Sequence, residues 1–328
     1  MRNAGTVFRI VLPWAILLPA ILSVSLVAAE DPEIQIEPDE ILADSVAAAD
    51  VELSPFGSYL ALYDSTEGNT IRLFDSSLGV LWRHRMSAYW AGSWDPGSVI
   101  QFTPDERQVL FPGYRNDSDI AVADSRTGEL LALLTEHDQD DEVRALALSP
   151  DGNRLVSATR SELFVWEAQG DGYAPVVQLR DYGPYAASIE WFPDGLRFAL
   201  SGRIDQQRFV RVYRIDPAGT LQEDFSYEFS DNNISHDIYQ IAISPEGDRI
   251  AAGYRDRLIL LDVESGTAPV EVRDIDIGTV YSLLFTPSGR EIVTAHSRYL
   301  RVWRVEGEAI REVLTAASQR PVAQDIEL

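Results

Sequence analysis

The apolar and polar positions along residues 143–168, VRALALSPDGNRLVSATRSELFVWEA, spell out three short strands and two turns. Val143, Ala145 and Ala147 alternate with Leu146 and Leu148, so both faces of the first strand are apolar, as in a strand held between two layers. Ser149-Pro150-Asp151-Gly152 is a turn, because proline presets φ and glycine accepts a positive φ. A second strand, 154–159, reaches a tight turn at Arg160-Ser161, and a third, 163–166, ends on Trp166.

This pattern is written six times. Its turns are centred on Pro55, Pro104, Pro150, Pro193, Pro245 and Pro287, spaced 42 to 52 residues apart. Such a period admits four short strands and their connections. The third strands end at Phe74, Ala123, Trp166, Tyr213, Leu261 and Trp303. Glycine turns such as 124–128 and 262–266 then lead into a more polar fourth strand. The repeats predict an all-β chain, a β-propeller of four-stranded antiparallel blades. Six copies give six blades; residues 30–47 and 315–328 would make a seventh if they combined as a split blade.

The repeat resembles that of the WD40 β-propeller family, whose pattern runs strand, SPDG turn, strand, a strand ending in Trp-Asp, then a TG turn. The resemblance covers roughly residues 48–316, and it points to a divergent, exported bacterial type. Phe74-Asp75 and Trp166-Glu167 approximate the Trp-Asp pair, whereas Trp303-Arg304 and Tyr213-Arg214 lose the acid. The family's Gly-His dipeptide is missing before every first strand, so its buried His/Asp/Ser/Trp network is expected to be largely absent.

Two flanking segments complete the organisation. Arg2 and Arg9 precede an uncharged run from Ile10 to Val27 that exits through Val27-Ala28-Ala29, the composition of a secretory signal peptide spanning 1–29. An uncleaved anchor is the competing reading. Residues 30–47 form an acidic linker or closing strand, 48–316 the propeller, and 317–328 a tail. The mature protein is therefore expected in the periplasm or outside the cell, free of the membrane and monomeric.

Charge narrows the partners. The chain carries 27 basic residues, all arginine, against 52 acids, a net −25. That field repels nucleic acid and anionic membranes. There is no cysteine, and the four histidines stand singly without metal-ligand spacing. The loop 136–142, EHDQDDE, lacks the alternation and glycine of a calcium loop. No nucleophile elbow, phosphate loop or metal cluster is present in the sequence, and Asp50, Glu52 and Glu190, in or beside first strands, read as an unmatched set. No catalytic residue, metal or cofactor is assigned.

In a propeller the loops between blades and the turns between second and third strands emerge on one face, where side chains are free of packing duty. Ten or eleven residues after the turn proline stand Arg115, Arg160, Arg203, Arg255 and Arg298. They predict a basic ring suited to carboxylate or phosphate, against the simpler reading of turn charges paired locally. Six residues before their prolines stand Arg144, Tyr239 and Tyr281, a position that in the family lines the channel mouth and contacts partners. The insertion 84–97 adds Trp90 and Trp94, which either face a partner or fold over the seam between two blades. The leading expectation is a non-catalytic scaffold that binds a protein or peptide on this face. The alternatives are a propeller hydrolase or lactonase with a channel-bound divalent metal, and an envelope assembly factor.

Overall fold

The structure, a computed structural model, describes residues 48–64, 69–86, 99–114, 116, 118–139, 141–180, 186–204, 207–216, 219–229, 240–254, 257–264, 269–273, 280–296, 299–307 and 309–317. Upstream it describes three short strands, Val7–Ile10, Leu22–Val27 and Gln35–Pro38.

Six four-stranded antiparallel sheets follow one another along the chain, each with its strands in sequence order. They occupy residues 48–85, 101–134, 145–180, 186–228, 240–273 and 280–317, and are numbered here as blades one to six. No helix occurs among the described residues. The upstream strands pair only with one another, and Gln35–Pro38 lies against Leu22–Val27. The split seventh blade therefore has no counterpart among the described residues.

Period two explains how the blades hold together. On strand Arg197–Ile204, Phe198 and Leu200 join Val156, Ala158, Leu163 and Val165 of blade three. Ala199, between them, joins Ile250, Ala252 and Ile259 of blade five. Neighbouring side chains on one strand thus enter opposite seams. Shared apolar clusters span the seams one–two, two–three, three–four, four–five and five–six. In blade six, Val293, Ala295, Leu300 and Val302 gather with Leu284, Val313 and Leu314 of the same blade.

Each first turn closes the same way. In blades one and three to six a glycine (Gly57, Gly152, Gly195, Gly247 and Gly289) takes φ between 66 and 73°. Its N–H donates to the carbonyl of the turn's first residue at 2.8–3.0 Å. Blade two puts Glu106 there, at φ 58°. Between blades one and two the outer strand adds a latch: Trp82 Nε1 donates to the Ser125 carbonyl at 2.8 Å. A Cβ on Gly128 would lie 2.7 Å from that indole, so the turn requires glycine on two counts.

Blade three contains the buried network that the missing Gly-His dipeptide argued against. Trp166 Nε1 donates to Ser157 Oγ at 2.8 Å, and Ser157 Oγ lies 2.7 Å from His137 Nε2. His137 comes from the loop before the first strand, preceded by glutamate instead of glycine. Burial lowers its pKa to about 4 against the opposing pull of Glu162, so the ring is neutral at pH 7. Nε2 then accepts from the serine hydroxyl, and Nδ1 faces Glu162 Oε2 at 3.6 Å, beyond hydrogen-bond reach. Glu162 is the carboxylate beside the ring, but no hydrogen bond joins the two. Blade six builds a variant: Trp303 Nε1 donates to Thr294 Oγ1 at 2.8 Å, and His296 Nε2 of the same strand lies 2.9 Å from that oxygen.

These networks are buried, so breaking one leaves polar atoms without water. Trp166→Phe should cost about 1–3 kcal/mol by leaving the buried Ser157 Oγ without its donor. A thermal melt checks it, and an unchanged midpoint would show the network to be incidental.

Candidate functional site

The face bearing the second-to-third-strand turns is best defined at blade three. There Asp141 organises the turn: its carboxylate accepts from Arg160 N at 3.2 Å, Ser161 N at 2.9 Å and Ser161 Oγ at 2.7 Å. Burial pushes the Asp141 pKa up, but these bonds and one from Thr159 outweigh it and hold the carboxyl below its usual range. Glu162 accepts from Asp138 N at 2.9 Å and Gln178 Nε2 at 3.0 Å, and pairs with Arg180 at 3.2 Å. The acidic loop 136–142 is thus bound into the turn through Asp141 and the Asp138 backbone. Among the described residues no group of three or more His, Asp or Glu side chains is arranged to hold a metal ion.

Of the arginine register, Arg160 is exposed on this turn and Arg203 is half-buried on strand Arg197–Ile204. Arg115, Arg255 and Arg298 lie outside the described residues, as do Tyr239, Trp90 and Trp94. Tyr281 falls on the inner strand Val280–Phe285. Arg144 is buried and held by Glu142, 3.2 Å away, so its guanidinium is committed within the blade. The structure therefore brings Arg160, Asp141 and Glu162 together in one blade and leaves the ring as a sequence-level expectation.

The inner strands carry a polar relay that counting from the prolines shows and composition does not. Three residues before its proline, Gln101 accepts from Leu148 N of the next blade at 3.3 Å. Glu190, at the same register, accepts from Ile243 N of its next blade. Five residues before, Ser188 accepts from Ile241 N at 3.5 Å and Gln240 from Leu283 N at 3.0 Å. One blade's inner side chain thus caps an N–H on the inner edge of the next. Glu52 occupies the register of Glu190, three residues before Pro55, so these acids are matched, contrary to the sequence expectation.

Glu190 is the unusual member. Its strand, Ala186–Trp191, pairs with Arg197–Ile204 and packs beside Ala145–Leu148 and Gln240–Ile243. The two packed strands hold no ionisable side chain. On the paired strand, Arg197 is bound by Asp194 at 2.8 Å and Arg203 lies at the far end. Burial raises the Glu190 pKa to about 8, with the Ile243 N–H opposing it. Part of the residue remains open to solvent, which moderates the penalty.

On the opposite face, a cleft of ≈ 440 Å³ separates the first turns of blades three and four, lined by Pro150, Asp151, Arg154, Glu167, Pro193 and Leu196. It exists because the turns part here. A Cβ on Gly152 would lie 2.8 Å from Pro104, whereas one on Gly195 would meet nothing within 4 Å.

Two opposed titrations follow. Glu190 binds a proton more tightly folded than unfolded, so its stabilisation falls as pH rises from about 4.5 to about 8. His137 binds one less tightly, so stability rises from about pH 4 to 6.5. Their slopes cancel below pH 6.5 and leave a net loss above it. Glu190→Gln should melt higher than the wild type at pH 8.5 and alike at pH 5. Equal melting at both values would remove Glu190 from the account.

The comparisons with known proteins agree with this geometry. The family described as WD domain, G-beta repeat matches residues 128–167, the segment that ends on Trp166-Glu167 and contains the His137 network. A chain of Kuenenia stuttgartiensis hydrazine synthase is similar in fold, with a TM-score of 0.63 at 16% identity, covering 86% of this chain and 87% of that one. No curated protein matches the chain. Six consecutive four-stranded meanders, one matched repeat and a similar solved fold give the chain a WD40-like β-propeller fold.

Proposed function

We propose that the chain is an exported, non-catalytic propeller scaffold that binds a protein or peptide through the face carrying its interblade loops and second-to-third-strand turns. The observation that carries this reading is the turn of blade three. It is fixed by three bonds to Asp141, two from backbone N–H groups and one from the Ser161 hydroxyl, while Arg160 stands exposed at its tip. A rigid turn presenting an arginine limits the entropy lost on binding, and guanidinium forks pair with carboxylates. The recurrence of arginine at this register in five of six copies extends the argument around the face. Export is supported by the basic, apolar and small-residue succession of residues 1–29. A second reading, a propeller hydrolase, draws on the raised pKa of Glu190, a value suited to a general acid.

Affinity capture from the native envelope tests the scaffold. Combined replacement of Arg115, Arg160 and Arg255 by alanine should reduce recovery of the principal partner at least about tenfold, equivalent to roughly 1.4 kcal/mol. Recovery of the same partners in equal amounts would end the arginine argument. Amino-terminal sequencing of the mature protein should begin at Glu30. Ester hydrolysis by the wild type, lost in Glu190→Gln, would instead favour the enzyme.

A further inference from the structure

Blade one breaks the repeat's own rules at one end, and every break exposes an apolar side chain. The residue after the turn proline is Asp105, Asp151, Asp194, Glu246 or Ser288 in the other five blades. There it stabilises the turn: Thr103 Oγ1 donates to Asp105 at 2.8 Å and Ser149 Oγ to Asp151 at 2.6 Å. Blade one has Phe56 instead, 78% exposed. The missing carboxylate is supplied from across the seam by Glu106, which accepts from the Phe56 N–H and from Ser54 and Ser58. Position 56 is thereby released from its turn duty.

The other turn at this end of the sheet is equally irregular. Between their third and fourth strands, blades two, three, four and six place Gly128, Gly170, Gly219 and Gly307 at φ between 63 and 79°. Blade one places Leu78 there, at φ 65° and exposed. A leucine in the left-handed region is strained, where glycine is not. Val80 and Leu81 follow, both exposed, so four of the six large exposed hydrophobics among the described residues belong to this end of blade one. The pairing Tyr59↔Asp75 sets the two turns side by side, about 10 Å apart at the spacing of neighbouring strands.

Carboxylates frame the patch. Hydrogen bonds from Ser77 and Gly79 hold Asp75 below the usual carboxylate range. Burial raises Asp105 and Glu106, but hydrogen bonds to each, and for Asp105 the charge of the exposed Arg107 3.5 Å away, outweigh it and leave both lowered. All three are ionised at neutral pH. The site lies on the face opposite Arg160.

We propose that this end of blade one is a second docking surface, and that it takes a basic amphipathic segment of another protein. Exposed apolar side chains kept against local preference mark an interaction site. The ionised carboxylates around them select a cationic partner. A net charge of −25 opposes a second copy of the chain. Two partners held on opposite faces would make the propeller a bridge.

The test titrates a labelled leucine–lysine amphipathic peptide of about 18 residues, five helical turns, into the full chain. The comparison protein carries Phe56→Ser, Leu78→Gly and Val80→Thr, which leaves the net charge untouched. Leu78→Gly relieves the positive φ, and circular dichroism with thermal melting verifies that the variant is folded. Binding should weaken at least about tenfold in the triple variant and stay unchanged in Arg160→Ala, which separates this surface from the opposite face. A leucine–glutamate peptide should not bind. Equal binding by the triple variant would reduce the effect to general attraction by an acidic surface and overturn the proposal. So would tight binding of the leucine–glutamate peptide. A wild-type dimer in sedimentation that the triple substitution disperses would assign the surface to a second copy instead.

Discussion

The inner strands of blades two to five divide their side chains between two neighbouring blades, and the architecture depends on that division. In a sheet exposed on one side, alternate residues face water. Here Phe198 and Leu200 enter one seam while Ala199 enters the next, so a single sheet has no solvent face along its inner strands. A blade alone would expose both surfaces, which makes its stability a property of its neighbours. Large and small side chains therefore meet across each seam: Ala158 and Val156 of blade three face Phe198 and Leu200 of blade four. Volume must be matched between repeats, not within them.

That constraint explains what could be read from the sequence and what could not. The turn prolines and the doubly apolar strands were legible because local backbone chemistry and burial on two sides leave marks at fixed spacing. The buried network was not, because its geometry tolerates more than one donor arrangement. Trp166 and Ser157 are nine residues apart, as are Trp303 and Thr294. The histidine arrives from the preceding loop in one blade and from the second strand in the other. A dipeptide motif records only the first route. The spacing of tryptophan and hydroxyl would have found both.

The polar relay on the inner strands was hidden for a related reason. Gln101, Ser188, Glu190 and Gln240 differ in chemistry and share only a register relative to the proline. Each accepts an N–H from the following blade, satisfying an edge that would otherwise need water. Glutamine and serine perform this task without charge. Glutamate does so at the cost of desolvation, and protonation restores its likeness to glutamine. The arginine register is the remaining gap: identical residue types recur in sequence, yet only Arg160 and Arg203 fall where their surroundings are defined.

Repetition also makes departures informative, since five copies of a turn supply the control for the sixth. Glu106 in blade two and Phe56 in blade one are each odd in isolation. Together they form one arrangement, in which a carboxylate crosses the seam and a phenyl ring occupies the vacated position. Leu78 has no such exchange; its positive φ is an unrelieved local cost beside an exposed Val80. Folding alone would favour a polar, hydrogen-bonding residue at the first site and glycine at the second, as five and four of the other blades show. Both residues fit the docking surface proposed for this end of blade one, and both lie outside the apolar cluster of the seam with blade two, so the seam is left intact.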